Sequence, residues 1–180
     1  MRRYIYFVFL LCCAVNLLLT SCVRQKYVVM DMVHHNPGEA MTESKFLDPS
    51  FLKKNEYGAK VFFLFEAAQF GIDWKSFDPS LFPDTTEAGR WVAEKAEIIH
   101  KKYDAAKKED LQVYCMLDML VLPSLLVEKH RTELTNEQGK LDISKPYTQL
   151  CIRELMKEMF ETFPQLDGLV IRTGETYLHD

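Results

Sequence analysis

Four stretches of the chain, residues 27–33, 59–65, 111–117 and 168–172, are near-continuous apolar runs rich in Val, Ile, Phe and Tyr. Runs without alternation predict strands buried on both faces, as in parallel sheets. The third run extends toward Leu122. Between the runs the period changes to that of helices. Asp48-Pro49-Ser50 predicts a short helix with Asp48 as N-cap and Pro49 at the first helical position, ending near Glu56. A longer helix is predicted from Asp84, with Glu87 three residues on suited to a capping box. Its apolar stripe is Ala88, Trp91, Val92, Ala96, Ile99 and Tyr103, and four lysines crowd its last turns. A third helix is predicted from Pro146 to Phe163, with Ile152, Leu155, Met156, Met159, Phe160 and Phe163 inward and Pro164 as its stop.

The predicted order is β-α-β-α-β-α-β, an α/β fold with right-handed crossovers between parallel strands. Two connections are long, 66–83 and 122–145. Loops at the carboxyl ends of strands carry ligand sites in such folds. No strand opens onto a glycine-rich phosphate turn: the first runs into His34-His35-Asn36-Pro37-Gly38-Glu39, without G-x-G-x-x-G or a P-loop lysine. The predicted architecture is therefore half of a TIM (β/α)8 barrel rather than a nucleotide-binding doubly wound sheet, and no cofactor is expected. A complete barrel needs about 250 residues and eight strands.

The N-terminus changes the picture. Met1-Arg2-Arg3 is followed by an apolar run to Leu19 and then by Leu19-Thr20-Ser21-Cys22. A charged start and a short apolar stretch predict a signal peptide rather than a spanning helix. The tetrapeptide resembles the lipobox of bacterial lipoproteins, which implies cleavage after residue 21 and lipidation of Cys22. Residues 22–26 are then a lipidated cysteine and short tether, and 27–180 the folded domain. Val23, with no aspartate after the cysteine, implies outer-membrane sorting by analogy with other lipoproteins, on an unassigned face.

The 180 residues carry 22 Lys and Arg against 26 Asp and Glu, a formal charge of −4. The basic residues form no stripe, so nucleic acid is not an expected partner. Removing Cys12, Cys13 and Cys22 leaves Cys115 and Cys151, both in apolar patterns, as expected buried thiols, with a single bridge between them as the alternative.

Polar residues gather where the apolar runs end: His34, His35, Asn36 and Glu39 after the first, Glu66, Asp73 and Trp74 after the second, Asp118 at the third, and Arg172, Glu175, Tyr177 and His179 at the fourth. Carboxylates, an arginine, histidines and aromatic rings suit a sugar, whose hydroxyls need polar partners and whose ring faces stack on Trp or Tyr. His34 and His35 are adjacent and point to opposite sides of an extended strand, which disfavours a metal; no metal site is expected. Each residue also has a structural alternative. Glu66 pairs with a lysine, Asp118 is a hydrogen-bonded core carboxylate, Arg172 pairs with Glu175, and Trp74 caps the core.

The segment from Phe163-Pro164 through Gly168-Leu169-Val170-Ile171-Arg172 to Gly174-Glu175 resembles the fourth-strand region of barrel glycoside hydrolases, distantly family 20, where the strand ends in an Asp-Glu pair. Gly174 stands at the aspartate's place, so the resemblance does not extend to the residue pair on which that family's substrate-assisted mechanism rests. The resemblance implies a glycosidase-like lipoprotein of the kind found among Bacteroidetes. Glu175 would be the general acid/base, and His34, His35, Glu66, Trp74, Asp118 and Arg172 would contact the glycan. Glycosidases use two carboxyl groups, and only Glu66 or Asp118 stands in for the second. The chain is accordingly expected to be the front half of a longer enzyme, interrupted by a frameshift, a premature stop or a gene-model error, and weakly active or inactive as written. Two rivals are a non-catalytic carbohydrate-binding envelope lipoprotein and a small lipoprotein with a self-contained open sheet.

Overall fold

The computed structural model describes residues 28–31, 45–63 and 67–172. Among the described residues, four strands, β1 (Met30–Asp31), β2 (Ala59–Phe62), β3 (Gln112–Asp118) and β4 (Gly168–Arg172), form one sheet in the order β1-β2-β3-β4. All three neighbouring pairs are parallel, with Asp31 opposite Lys60, Phe62 opposite Cys115 and Asp118 opposite Arg172. The helices are α1 (Pro49–Lys54), α2 (Glu87–Lys108), α3 (Ser124–Lys129), α4 (Arg131–Leu134) and α5 (Pro146–Thr162), with 3-10 turns at Lys45–Leu47 and Ala68–Gly71. The chain is thus an α/β fold with helices between parallel strands. None of the described helices is long and apolar enough to cross a membrane.

Each crossover steps one strand in the same direction. With right-handed crossovers, that order lays the connecting helices on one face of the sheet. The core agrees. Phe62, Val113, Cys115 and Leu117 from alternate strand positions share a cluster with Leu52, Ile99, Tyr103, Leu155, Met159 and Phe163 from the helices. The Tyr103 ring centre lies 4.8 Å from that of Phe62 in a tilted contact and 5.7 Å from that of Phe163 in an edge contact, so α2 bridges the sheet and the end of α5. The intervening strand positions point the other way. Ala59, Val61 and Met116 there are buried yet lie outside that cluster.

Local chemistry explains most boundaries. Asp48 accepts the Ser50 amide and Pro49 opens α1, as the sequence predicts. α2 starts at Glu87, two residues beyond the turn in which Asp84 was expected to cap, because Thr86 is the N-cap. Its hydroxyl oxygen accepts the Gly89 amide at 3.0 Å and donates to the Pro83 carbonyl at 2.7 Å. Gly89 has no room for a side chain, since a Cβ there would lie 2.2 Å from the Pro83 carbonyl oxygen.

In α5, Leu155 and Met159, with Phe163 just after it, are buried as predicted, but the buried face also takes in Thr148, Cys151 and Glu158, while Ile152 and Met156 are half-buried and Phe160 is exposed. In α2, Val92, Ile99 and Tyr103 are buried as predicted but Trp91 is 53% exposed. Cys115 and Cys151 are buried and form no disulfide among the described residues, and burial pushes the Cys151 thiol up to about 11.

At the amino-terminal rim, Asp167 accepts the Val113 amide at 2.7 Å and an ammonium hydrogen from Lys107. One carboxylate so joins the end of α2, the start of β3 and the approach to β4.

Candidate functional site

The carboxyl ends of β3 and β4 bring together two residues singled out from the sequence. Asp118 and Arg172 are register partners on the face turned away from the helices. Arg172 Nε donates to Asp118 Oδ1 at 2.8 Å and Nη2 donates to Oδ2 at 3.1 Å. The fork geometry of guanidinium and carboxylate makes this a directional pair. The Asp118 side chain is 4% exposed and that of Arg172 23% exposed, so the cation occupies the wetter position. The guanidinium also lies 5.9 Å from the Phe63 ring centre, a cation–π contact across the width of β3. Asp118 is therefore a paired carboxylate, and its cation is on the neighbouring strand.

Trp74 is placed differently from an exposed stacking platform. It is 1% exposed and belongs to the core, with its ring 6.0 Å from that of Phe77. Its φ of 56° is left-handed, which is costly for a bulky residue. Burial of the indole offsets that cost, and its carbonyl accepts the Phe77 and Asp78 amides to close the turn. His34, His35, Glu66, Glu175 and Cys22 lie outside the described residues.

The two long connections are folded. After β2, the Ala68 amide donates to Cys115 Sγ at 3.2 Å, which lays the turn Ala68–Gly71 on β3. Gly71 presses against α2, where a Cβ would lie 2.8 Å from the Ala96 Cα and 2.9 Å from the Phe163 ring. After β3, α3 and α4 lead into a turn closed by the Thr135–Leu141 antiparallel bridge. Lys129 at the end of α3 donates to Asp78 Oδ2 at 2.5 Å and to Ser80 at 2.9 Å, tying one connection to the other.

Between them lies a cavity of about 410 Å³ lined by Gln69, Phe70, Ile72, Trp74, Phe82, Trp91, Val92, Leu122, Ser124, Leu125 and Leu155, among others. The sequence reading missed Gln69 and placed Trp91 in the core. The signal for Trp91 was its position near the start of α2, as the fifth residue of the helix, where a helix face is only partly covered.

A second, open hollow is lined by Asp73, Lys75, Ser76, Glu158, Glu161 and Thr162. Glu158 is buried there and accepts the Ser76 hydroxyl at 2.5 Å. Burial holds its carboxyl above the ordinary range, and Asp73 and Glu154 push in the same direction. Among the described residues, no group of three His, Cys, Asp or Glu side chains is placed to hold a metal ion. Comparison with protein-family models, with curated proteins and with solved structures found no match.

Proposed function

We propose that this chain is a glycoside-hydrolase-like lipoprotein that binds a glycan at the carboxyl edge of its sheet. The observation that carries the reading is the strand order. Four parallel strands follow one another without a reversal, which is the path of a (β/α)8 barrel wall and lacks the switch point at which a doubly wound sheet binds nucleotides. On that reading the face turned away from the described helices is the barrel's inner side, and Asp118, Arg172 and Phe63 stand at its upper end. Arg172 and Asp118 then orient sugar hydroxyls, and Glu175 is the proton donor to the leaving oxygen. Cys22 carries the lipid anchor.

A non-catalytic glycan-binding role is the second reading, and one observation favours it. Both Asp118 oxygens are engaged by Arg172, which leaves this carboxylate badly placed as a nucleophile or base.

The test uses the full-length chain on a panel of polysaccharides, with binding by calorimetry and release of reducing ends. Hydrolysis abolished by Glu175→Gln supports the enzyme. Binding without turnover, unchanged in Glu175→Gln and lost in Arg172→Ala, supports the binding module. No glycan binding rejects both. Mass spectrometry of the membrane fraction tests the anchor: a diacylglycerol adduct at Cys22 is expected.

A further inference from the structure

We propose that two copies of this chain pair through the outer face of α2, antiparallel about a two-fold axis at Ile98. This surface is separate from the glycan reading and stands without it. The core side of α2 is Gly89, Val92, Ile99, Tyr103 and Ala106. On the opposite side, Glu87, Trp91, Glu94, Ile98, Lys101 and Ala105 recur at alternating spacings of four and three residues, and all six are exposed. Such spacing draws one stripe along a helix and is the seam of a helix pair.

The stripe interleaves two series, each repeating every seven residues. Trp91, Ile98 and Ala105 are apolar; Glu87, Glu94 and Lys101 are charged. Apolar side chains scattered singly on a surface need no partner. Trp91 and Ile98 stand in line on one helix instead, 53% and 49% exposed.

What selects a second copy is that the stripe complements its own reversal. A two-fold interface makes each contact twice, residue i against j and j against i. With the axis at Ile98, that side chain meets its own counterpart. The bulky Trp91 meets the small Ala105 of the second copy, and Glu94 lies beside the second copy's Lys101. Apolar thus meets apolar, large meets small, and acid meets base. A parallel pairing would set Glu94 against Glu94 and Lys101 against Lys101, which repel. Lys101 also donates to Glu97 at 2.6 Å. An ammonium has three donors, so a second carboxylate adds to the first.

From Glu87 to Ala105 the stripe is about 27 Å long. A seam of one helix belongs with the small interfaces, which are weak and reversible. The pair should therefore form and dissociate in the micromolar range. α2 runs against the strands it connects, so the antiparallel arrangement turns the two carboxyl rims in opposite directions and leaves each outside the interface.

Sedimentation velocity of the full-length chain in a non-ionic detergent, over a concentration series, reads the equilibrium. The parent should pass from one to two copies per particle as concentration rises. Ile98→Lys brings two ammonium groups together at the axis and should leave the chain monomeric, with the circular dichroism of the parent because the site is exposed. Ile143→Lys, at a 57% exposed position outside α2, should dimerise as the parent does. Glu94→Lys and Lys101→Glu should each weaken the pair about tenfold, since each turns two attractive contacts repulsive, and the double variant should restore it. A parent that stays monomeric across the micromolar range, a dimer that survives Ile98→Lys, a loss that Ile143→Lys shares, or a double variant no tighter than the single ones would overturn the proposal. Glycan binding does not enter any of these readouts, so the two readings fail separately.

Discussion

Lys60 on β2 and Asp31 on β1 form an ion pair across the first strand junction, with each side chain only 3% exposed. The pair is on the helix side of the sheet, beside the Phe46 carbonyl, which also accepts from the ammonium at 3.4 Å. Removing one member of a buried pair leaves a charge in a poor solvent. Lys60→Met is therefore expected to cost about 3–5 kcal/mol, while Asp31→Leu with Lys60→Met recovers most of the loss. Urea unfolding of both single variants and the double variant checks this. A single-variant cost within error of zero would show that the pair is wet.

Glu158 and Asp78 predict opposite responses to pH. The folded state raises the Glu158 pKa above its ordinary 4.5, so it binds that proton more tightly than the unfolded chain does. The associated stability is present in acid and is lost as pH rises through the folded value. Glu158→Gln should match the parent near pH 4 and become relatively more stable toward neutral pH. Paired urea titrations across that range decide it, and a gap that does not change with pH refutes the assignment.

The Lys129 ammonium and the Ser80 hydroxyl and amide hold Asp78 down, from 3.8 to about 2. Here the stability is present above the ordinary value and is lost as pH falls from 3.8 toward about 2. The Lys129 side chain is 47% exposed, so solvent screens the pair. Lys129→Met should cost no more than about 1 kcal/mol at neutral pH, and the cost should vanish in acid. Because this bond ties the two connections around the cavity, limited proteolysis there should also speed up in the variant.

The start of α2 separates two capping schemes. Thr86→Ala removes the acceptor for the Gly89 amide and is expected to cost about 1 kcal/mol. Asp84→Ala removes an 80% exposed side chain that contacts Lys75 at 3.4 Å and should cost close to nothing. Thermal melts of the two variants check the order.

Strand positions and fold class were readable from sequence because continuous apolar runs have few alternatives at such lengths. β4 coincides with its run, and β3 differs by one residue at each end. The failures are equally physical. In α5 the buried face includes Thr148 and Glu158, and a stripe defined by apolar residues cannot place polar side chains inward. Glu158 is tolerated there because Ser76, 82 positions away, hydrogen-bonds it. Long connections looked featureless because α3, α4 and the turn at Gln69 are too short to show a period. Asp118 and Arg172 were legible as strand-end polar residues, but their pairing depends on register, which separate runs do not encode. Trp74 was legible as an aromatic near the site, yet its left-handed backbone turns the ring into the core.

The Asp167 carboxylate couples residues 54 and 60 positions away in the chain. Such a rivet cannot close until α2, β3 and β4 have already met. We predict that its free energy enters late on the folding route, after the rate-limiting barrier. Weakening it by Asp167→Ala should leave the refolding rate nearly unchanged and accelerate unfolding, so that the lower rim governs how long the native state survives rather than how quickly it is reached.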